Sequence, residues 1–155
     1  GIAFTRANVG YVHAIAHQFG GRYHTPHGLA NAIVLPHVLR FSLPDITDRL
    51  ATLAVRAGLG DEGESEDVLA QKFVDGVVAL ERDLGIPTHL DALQEADIPA
   101  LARAACHEAH TGYPVPRYMT QEVCEGIIRQ ALPPQPAPAK AAPTKPTPRK
   151  RKAAA

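Results

Sequence analysis

Four of the eight histidines lie in one stretch, GYVHAIAHQFGGRYHTPHG, residues Gly10 to Gly28: His13, His17, His24 and His27. Imidazole is a borderline ligand suited to first-row divalent ions, and it titrates near neutral pH, so one cluster can hold a metal or move a proton. His13 and His17 are four apart, which on a helix stacks both rings along one face. His27 falls about two residues inside the next predicted helix, after a Gly20-Gly21 turn able to fold that helix back, and Gly28 leaves room for a bulky group near the backbone. A histidine pair on an apolar stripe reads equally as a satisfied buried pair. Two or three histidines without a nearby carboxylate form an incomplete ligand set. His24 is expected on the connecting link, facing solvent or supporting a ligand, and His37 at a helix end beside Pro36. His89, His107 and His110 have no companions in the sequence and are assigned no chemistry.

The elements that must position these side chains read as helices throughout. Val9, Val12, His13, Ala16, His17 and Gly20 mark one face of a first helix, which Gly20-Gly21 should break. Thr25 as N-cap and Pro26 at the first helical position should restart the chain. Leu29 to Phe41 is apolar nearly all round, the pattern of a buried helix, with Pro36 expected to bend or interrupt it. A helix over Asp45 to Leu59 carries Ile46, Leu50, Leu53, Ala54 and Ala57. Ser65 should cap another, with Leu69, Phe73, Val77, Leu80 and Leu84 on its apolar face and Gly85 and Pro87 as its stop. Asp97 should cap a helix bearing Leu101, Ala105 and Ala109, and Thr120 the last, with Val123, Ile127 and Ile128. No period-2 run is long enough for a strand, so the body is all-α.

Composition narrows the class. The 155 residues carry a formal charge of +0, but Pro133–Ala155 holds six Lys/Arg, seven Pro and no acid, leaving Gly1–Leu132 at −6. An acidic body thus precedes a Pro/Ala/Lys-rich tail without large apolar residues, expected to be disordered. That tail reads as a solubilising extension or, through Arg149, Lys150, Arg151 and Lys152, as a weak contact for nucleic acid. No apolar run reaches the ~18 residues of a membrane span, and no secretory signal is visible. Cys106 and Cys124 are too few for a disulfide framework and read as free core thiols in a reducing, cytoplasmic setting. The chain opens at Gly1 without Met or a capping signal, which reads as a cut.

The stretch HAIAHQFGGRYHTPHGLANAIVLPHVLRFS resembles the C-terminal helical domain of the iron-containing, or group III, alcohol dehydrogenases. That family shows a His, three residues, a second His, a Gly-containing turn, then PHG, small and apolar residues and LP. The likeness continues through LGIP at Leu84–Pro87, DIPALA at Asp97–Ala102 and YPVPRYMT. The resemblance implies a helical bundle domain over Gly1–Leu132 of the dehydroquinate synthase-like type, and that the basic tail stands outside it. It implies His13 and His27 as metal ligands for Fe2+, with Zn2+ the alternative. It implies His17 beside the nicotinamide of NAD or NADP, positioned for proton handling or for placing substrate. In the family two further ligands, an Asp and a His four apart, and the α/β domain with its glycine-rich loop precede the segment seen here. The sequence therefore reads as half the metal ligands and one wall of a cleft.

The implied chemistry is oxidoreduction of a small alcohol or aldehyde by hydride transfer, in a protein that is a homo-oligomer when intact, with this chain inactive by itself. Two other classes stay open on the residues: a non-catalytic helical remnant, and a nucleic-acid-associated module using the tail. An apolar face meant to pack on the absent α/β domain should remain uncovered in the isolated chain.

Overall fold

The computed structural model describes residues Gly1–Pro134. The expected tail falls, from residue 135 onward, outside the described residues. Six helices follow in order: α1 (Ile2–Ala7), α2 (Tyr11–Tyr23), α3 (His27–Arg56), α4 (Glu66–Asp83), α5 (Ile98–Gly112) and α6 (Gln121–Arg129), with a single 3-10 turn (Glu95–Asp97) leading into α5. No strand occurs among the described residues, as the periodicity predicts.

The main core lies where α2, α3, α5 and α6 meet. Tyr11, Ile15 and Phe19 of α2 pack with Ile33, Val34 and Val38 of α3, with Ile98, Leu101 and Ala105 of α5, and with Cys124, Ile127 and Ile128 of α6. Met119 and Leu93 enter the same core from the connections flanking α5. The second half of α3 lies against α4 around a smaller core of Leu50, Ala70 and Val74. Cys106 and Cys124 are both free and buried, and burial pushes their thiols up from the usual range, so they serve as core groups.

Helix α1 is not expected from the sequence, the helices expected over Leu29–Phe41 and Asp45–Leu59 form the single α3, and two helix ends differ from the sequence expectation. Helix α2 runs through Gly20-Gly21 and ends at His24, whose φ of 56° is left-handed and whose N–H donates to the Gly20 carbonyl. Each interior glycine costs a helix roughly 1 kcal/mol, and the last turn is joined to the start of α5 by side-chain contacts. Arg22 makes a two-pronged pair with the Asp97 carboxylate, at 3.1 and 3.0 Å, and the Tyr23 hydroxyl donates to the same group at 2.8 Å. Asp97 is thereby spent on α2 and makes no side-chain cap on α5. Pro26 rather than Thr25 takes the N-cap position of α3, and Thr25 is buried.

Pro36 does not break α3. The helix continues past it, and the non-helical residue is Ile46 (φ −137°, ψ 21°), two residues beyond Pro44. Pro36 sits in a turn buried among Ile33, Val34 and Val38, whose packing outweighs the lost backbone hydrogen bond. Past Pro44 the chain is only half-buried, so the backbone yields there instead. The apolar faces also rotate. In α2 the buried side is Tyr11, Ala14, Ile15, Ala16 and Phe19, so of the expected stripe Ala16 is buried, while Val12 and His13 are half-buried and His17 is exposed. In α4, Leu69, Ala70 and Val74 are buried, but Leu80 and Leu84 are 59% and 67% exposed.

The Asp97 cluster makes stability depend on pH. Hydrogen bonds from Arg22 and then Tyr23 hold its carboxyl below the usual range. A depressed folded value means the group adds stability above the unfolded Asp value of about 3.9 and loses it as pH falls through the folded value. Asp97→Asn is expected to flatten the acid limb of a stability-against-pH curve, measured by urea unfolding between neutral pH and pH ~3. An unchanged acid limb would remove this role.

Candidate metal and proton-handling site

The helix period and one tight link bring three imidazoles together. His13 and His17 lie on successive turns of α2 with ring centroids 5.9 Å apart. The left-handed residue at His24 turns the chain so that His27 opens α3 beside them, 5.2 Å from His13 and 5.5 Å from His17. The His17 and His27 rings are nearly parallel, at 23°. Because this face of α2 is the half-exposed one, the cluster opens to the surface instead of being sealed in the core.

The electrostatics favour lone-pair donors at His13. Desolvation lowers its affinity for a proton, and the neighbouring His27 and His17 lower it further, against an opposing pull from Glu108. A neutral imidazole is the form that ligates a metal. Asn31, one turn beyond His27, donates its amide N–H to the His27 carbonyl at 2.8 Å and places the same nitrogen 3.1 Å from His27 Nε2. With that amide as donor, Nε2 is the lone-pair nitrogen, while Asn31 Oδ1 is buried without a partner. Among the described residues no group of three His, Cys, Asp or Glu is arranged to enclose a metal ion. The His13 and His27 imidazoles converge at an open surface, and their donor type suits a divalent ion as part of a larger ligand set.

Beside His13 lies an open, mostly apolar groove of about 560 Å³, walled by Val9, Val12, Asn31, Leu35 and Pro114. On the other side stands Glu108 of α5, with Oε1 2.6 Å from His17 Nδ1. Gln18 Nε2 donates to Oε2 of this carboxylate at 2.9 Å, and the Tyr113 hydroxyl donates to Oε1 at 2.6 Å. Burial works to raise the Glu108 carboxyl. Hydrogen bonds from Tyr113 and His17, the His17 charge and the Gln18 bond together hold it below the ordinary range. Sequence reasoning missed Glu108. It is 91 residues from His17, and no local pattern marks it apart from any other acid on a helix.

The other histidines separate from the cluster. His24 is exposed on the link, as expected. His37 is not at a helix end but inside α3, where it lines a cavity of about 460 Å³ with Arg40, Glu81 and Ile86, and burial lowers its proton affinity. His89 pairs with Asp91 at 3.2 Å, and His107 lies exposed on α5. His110 has companions the sequence did not reveal: its Nε2 is 2.9 Å from the Tyr11 hydroxyl, and its ring stacks on Tyr118 at 4.2 Å.

An all-helical domain with three imidazoles clustered at its surface is the class of protein defined by this fold and site. Comparison with known proteins places it more narrowly. The family model for the C-terminal part of the Fe-containing alcohol dehydrogenase family matches residues 1–132. The chain is 41% identical over 134 residues to 1,3-propanediol dehydrogenase of Klebsiella pneumoniae, covering 85% of this chain and 34% of that protein. It is 42% identical over 114 residues to lactaldehyde reductase of Escherichia coli K12, covering 72% and 30%. The alcohol dehydrogenase of Oenococcus oeni superposes with a TM-score of 0.77 at 34% identity, covering 84% of this chain and 34% of that one. The chain belongs to the iron-containing alcohol dehydrogenase family and corresponds to its C-terminal helical domain. It spans about a third of the length of the relatives it matches.

No helix among the described residues is long and apolar enough to cross a membrane.

Proposed function

We propose that this chain forms the helical wall of a metal-dependent, NAD(P)-linked alcohol dehydrogenase site, with His13 and His27 as metal ligands and His17 as the proton-handling residue. The convergence of these three imidazoles within 5.9 Å of one another is the observation that carries the reading. When bound, Fe2+ (or Zn2+) would polarise the substrate oxygen as a Lewis acid, and the nicotinamide would exchange hydride with the carbinol carbon. His13 and His27 converge on one side of the cluster, and burial with the neighbouring imidazoles lowers the proton affinity of His13. His17, exposed and next to both, accepts the hydroxyl proton during oxidation and passes it to solvent.

The apolar groove beside His13 suits the hydrocarbon part of a small alcohol or aldehyde. Relatives named for 1,3-propanediol, lactaldehyde, 1-propanol and methanol support that substrate class. The part of the relatives outside this match would supply most of the NAD(P) contacts and the remaining ligands.

The direct test is a titration of the 155-residue chain with Zn2+, and with Fe2+ under anaerobic conditions, followed through the imidazole 15N resonances. His13 and His27 should respond together and saturate together, with His89 and His107 unaffected. Saturation without a response at either His13 or His27 would overturn the assignment.

A further inference from the structure

The His17 imidazole has two nitrogens, and only one can serve a substrate. Nδ1 points back at α5 and meets Glu108 Oε1 at 2.6 Å, the length of a charge-assisted hydrogen bond. A carboxylate held in its ionised state can only accept, so the proton of that bond resides on Nδ1. In a neutral ring this leaves the lone pair on Nε2. The carboxylate itself has little freedom. Tyr113, the residue that ends α5, donates to Oε1 at 2.6 Å, and Gln18, the neighbour of His17 on α2, donates to Oε2 at 2.9 Å. The Gln18 amide is in turn anchored on its own helix, donating to the Ala14 carbonyl at 3.1 Å. The network thus ties the ring to both helices that flank the cluster, and His27 stacks on that same ring.

A purely structural strap between α2 and α5 would need none of this at an open site. The side chain of His17 is 42% exposed and that of Glu108 29%, and an ion pair so placed adds little stability. What the arrangement does well is select one tautomer and one ring orientation, as a second group does for a catalytic imidazole or a ligating one.

We propose that Glu108 is the positioning residue of this site: it takes the Nδ1 hydrogen bond of His17, fixes the ring against His27 and leaves the lone pair on Nε2, the nitrogen turned to substrate. This inference rests on the proton-handling role proposed for His17, but it does not depend on a metal being bound.

Long-range 1H–15N correlation spectra of the chain report the tautomer directly, at a pH where the ring is neutral. The parent should show His17 with its proton on Nδ1. Glu108→Ala should lower the ratio of the Nδ1–H to the Nε2–H form by about tenfold or more, the scale of losing a hydrogen bond to a charged group. Glu108→Gln keeps the size of the side chain and an accepting oxygen without the charge. It should lie between the two and guards against a variant that fails to fold.

Zn2+ binding at His13 and His27 is measured in the same samples. An Nε2–H tautomer in the parent, or a ratio unchanged in folded Glu108→Ala and Glu108→Gln, overturns the proposal whatever the metal result. The expected tautomer shift in a chain whose Zn2+ titration saturates without a response at His13 or His27 overturns the metal assignment and still supports the role of Glu108.

Discussion

His27→Ala is expected to weaken Zn2+ or Fe2+ binding by at least about 100-fold, and His13→Ala by a similar factor. Loss of a group that merely orients a ligand costs roughly 10–100-fold in affinity, so loss of a ligand costs no less. The two rings stand 5.2 Å apart, so each variant leaves its partner as a lone imidazole at an open surface. His17→Ala separates the roles. It should leave metal affinity near that of the parent, because His17 directs Nδ1 at Glu108 and is not one of the proposed ligands. In a protein that also carries the remaining ligands and the nucleotide site, His13→Ala and His27→Ala should lose metal and turnover together. His17→Ala should keep the metal and lose about 10²–10⁴-fold in rate, the usual contribution of a positioned acid–base group. Competition titrations against a chromophoric chelator, with rates measured on the same samples, check all three. Full metal affinity in His13→Ala would sink the ligand assignment, and full activity in His17→Ala the proton role.

Phe19→Ala is expected to be the most destabilising of the simple core truncations in α2, at about 3–5 kcal/mol. Phe19 is fully buried, one of the largest side chains in the main core, and lies between the histidine face and the last turn of α2. Its loss leaves a cavity that the surrounding residues of three other helices cannot all move to fill. Thermal unfolding followed by far-UV circular dichroism should show a midpoint lowered by roughly 10 °C or more. Leu80→Ala is the control. The helical pattern alone places Leu80 on an apolar face, yet it is 59% exposed, so its truncation should stay within about 0.5 kcal/mol. Equal losses at the two positions would mean that α4 packs differently in solution.

The contrast between Phe19 and Leu80 shows where periodicity stops. An apolar stripe says that a helix has a face to bury, but not which neighbour is present to cover it. Leu80 and Leu84 follow the stripe begun by Leu69 and Phe73 yet are exposed, while Val78 and Glu81 at the same end of α4 line a cavity with Ile33, Pro36 and His37 of α3. In α2 the stripe through Val12, His13 and Ala16 was legible. The deepest face, through Tyr11, Ile15 and Phe19, is offset from Val12 and His13 by a fraction of a turn, because α3 and α5 pack against that side.

The sequence by itself determined the helical class, most helix starts and stops, and the identity of the three clustered histidines. Those follow from short-range rules: caps, the 3.6-residue period, and a four-residue spacing that stacks two rings. Thr120 illustrates it, its side chain accepting the Val123 N–H as a cap should. Tertiary structure decided everything that depended on a distant partner. Asp97, a cap by sequence, is drawn to Arg22 and Tyr23 and ties the end of α2 to the start of α5. Pro36 stays helical because the core surrounds it, and the bend moves to Ile46. Glu108 meets His17 only because α5 packs beside α2. A residue's local preference amounts to a fraction of a kcal/mol up to about 3 for proline, whereas a buried side chain or a charge-assisted hydrogen bond is worth as much or more. Where the two compete, the long-range contact wins, and its partner cannot be read from neighbouring residues.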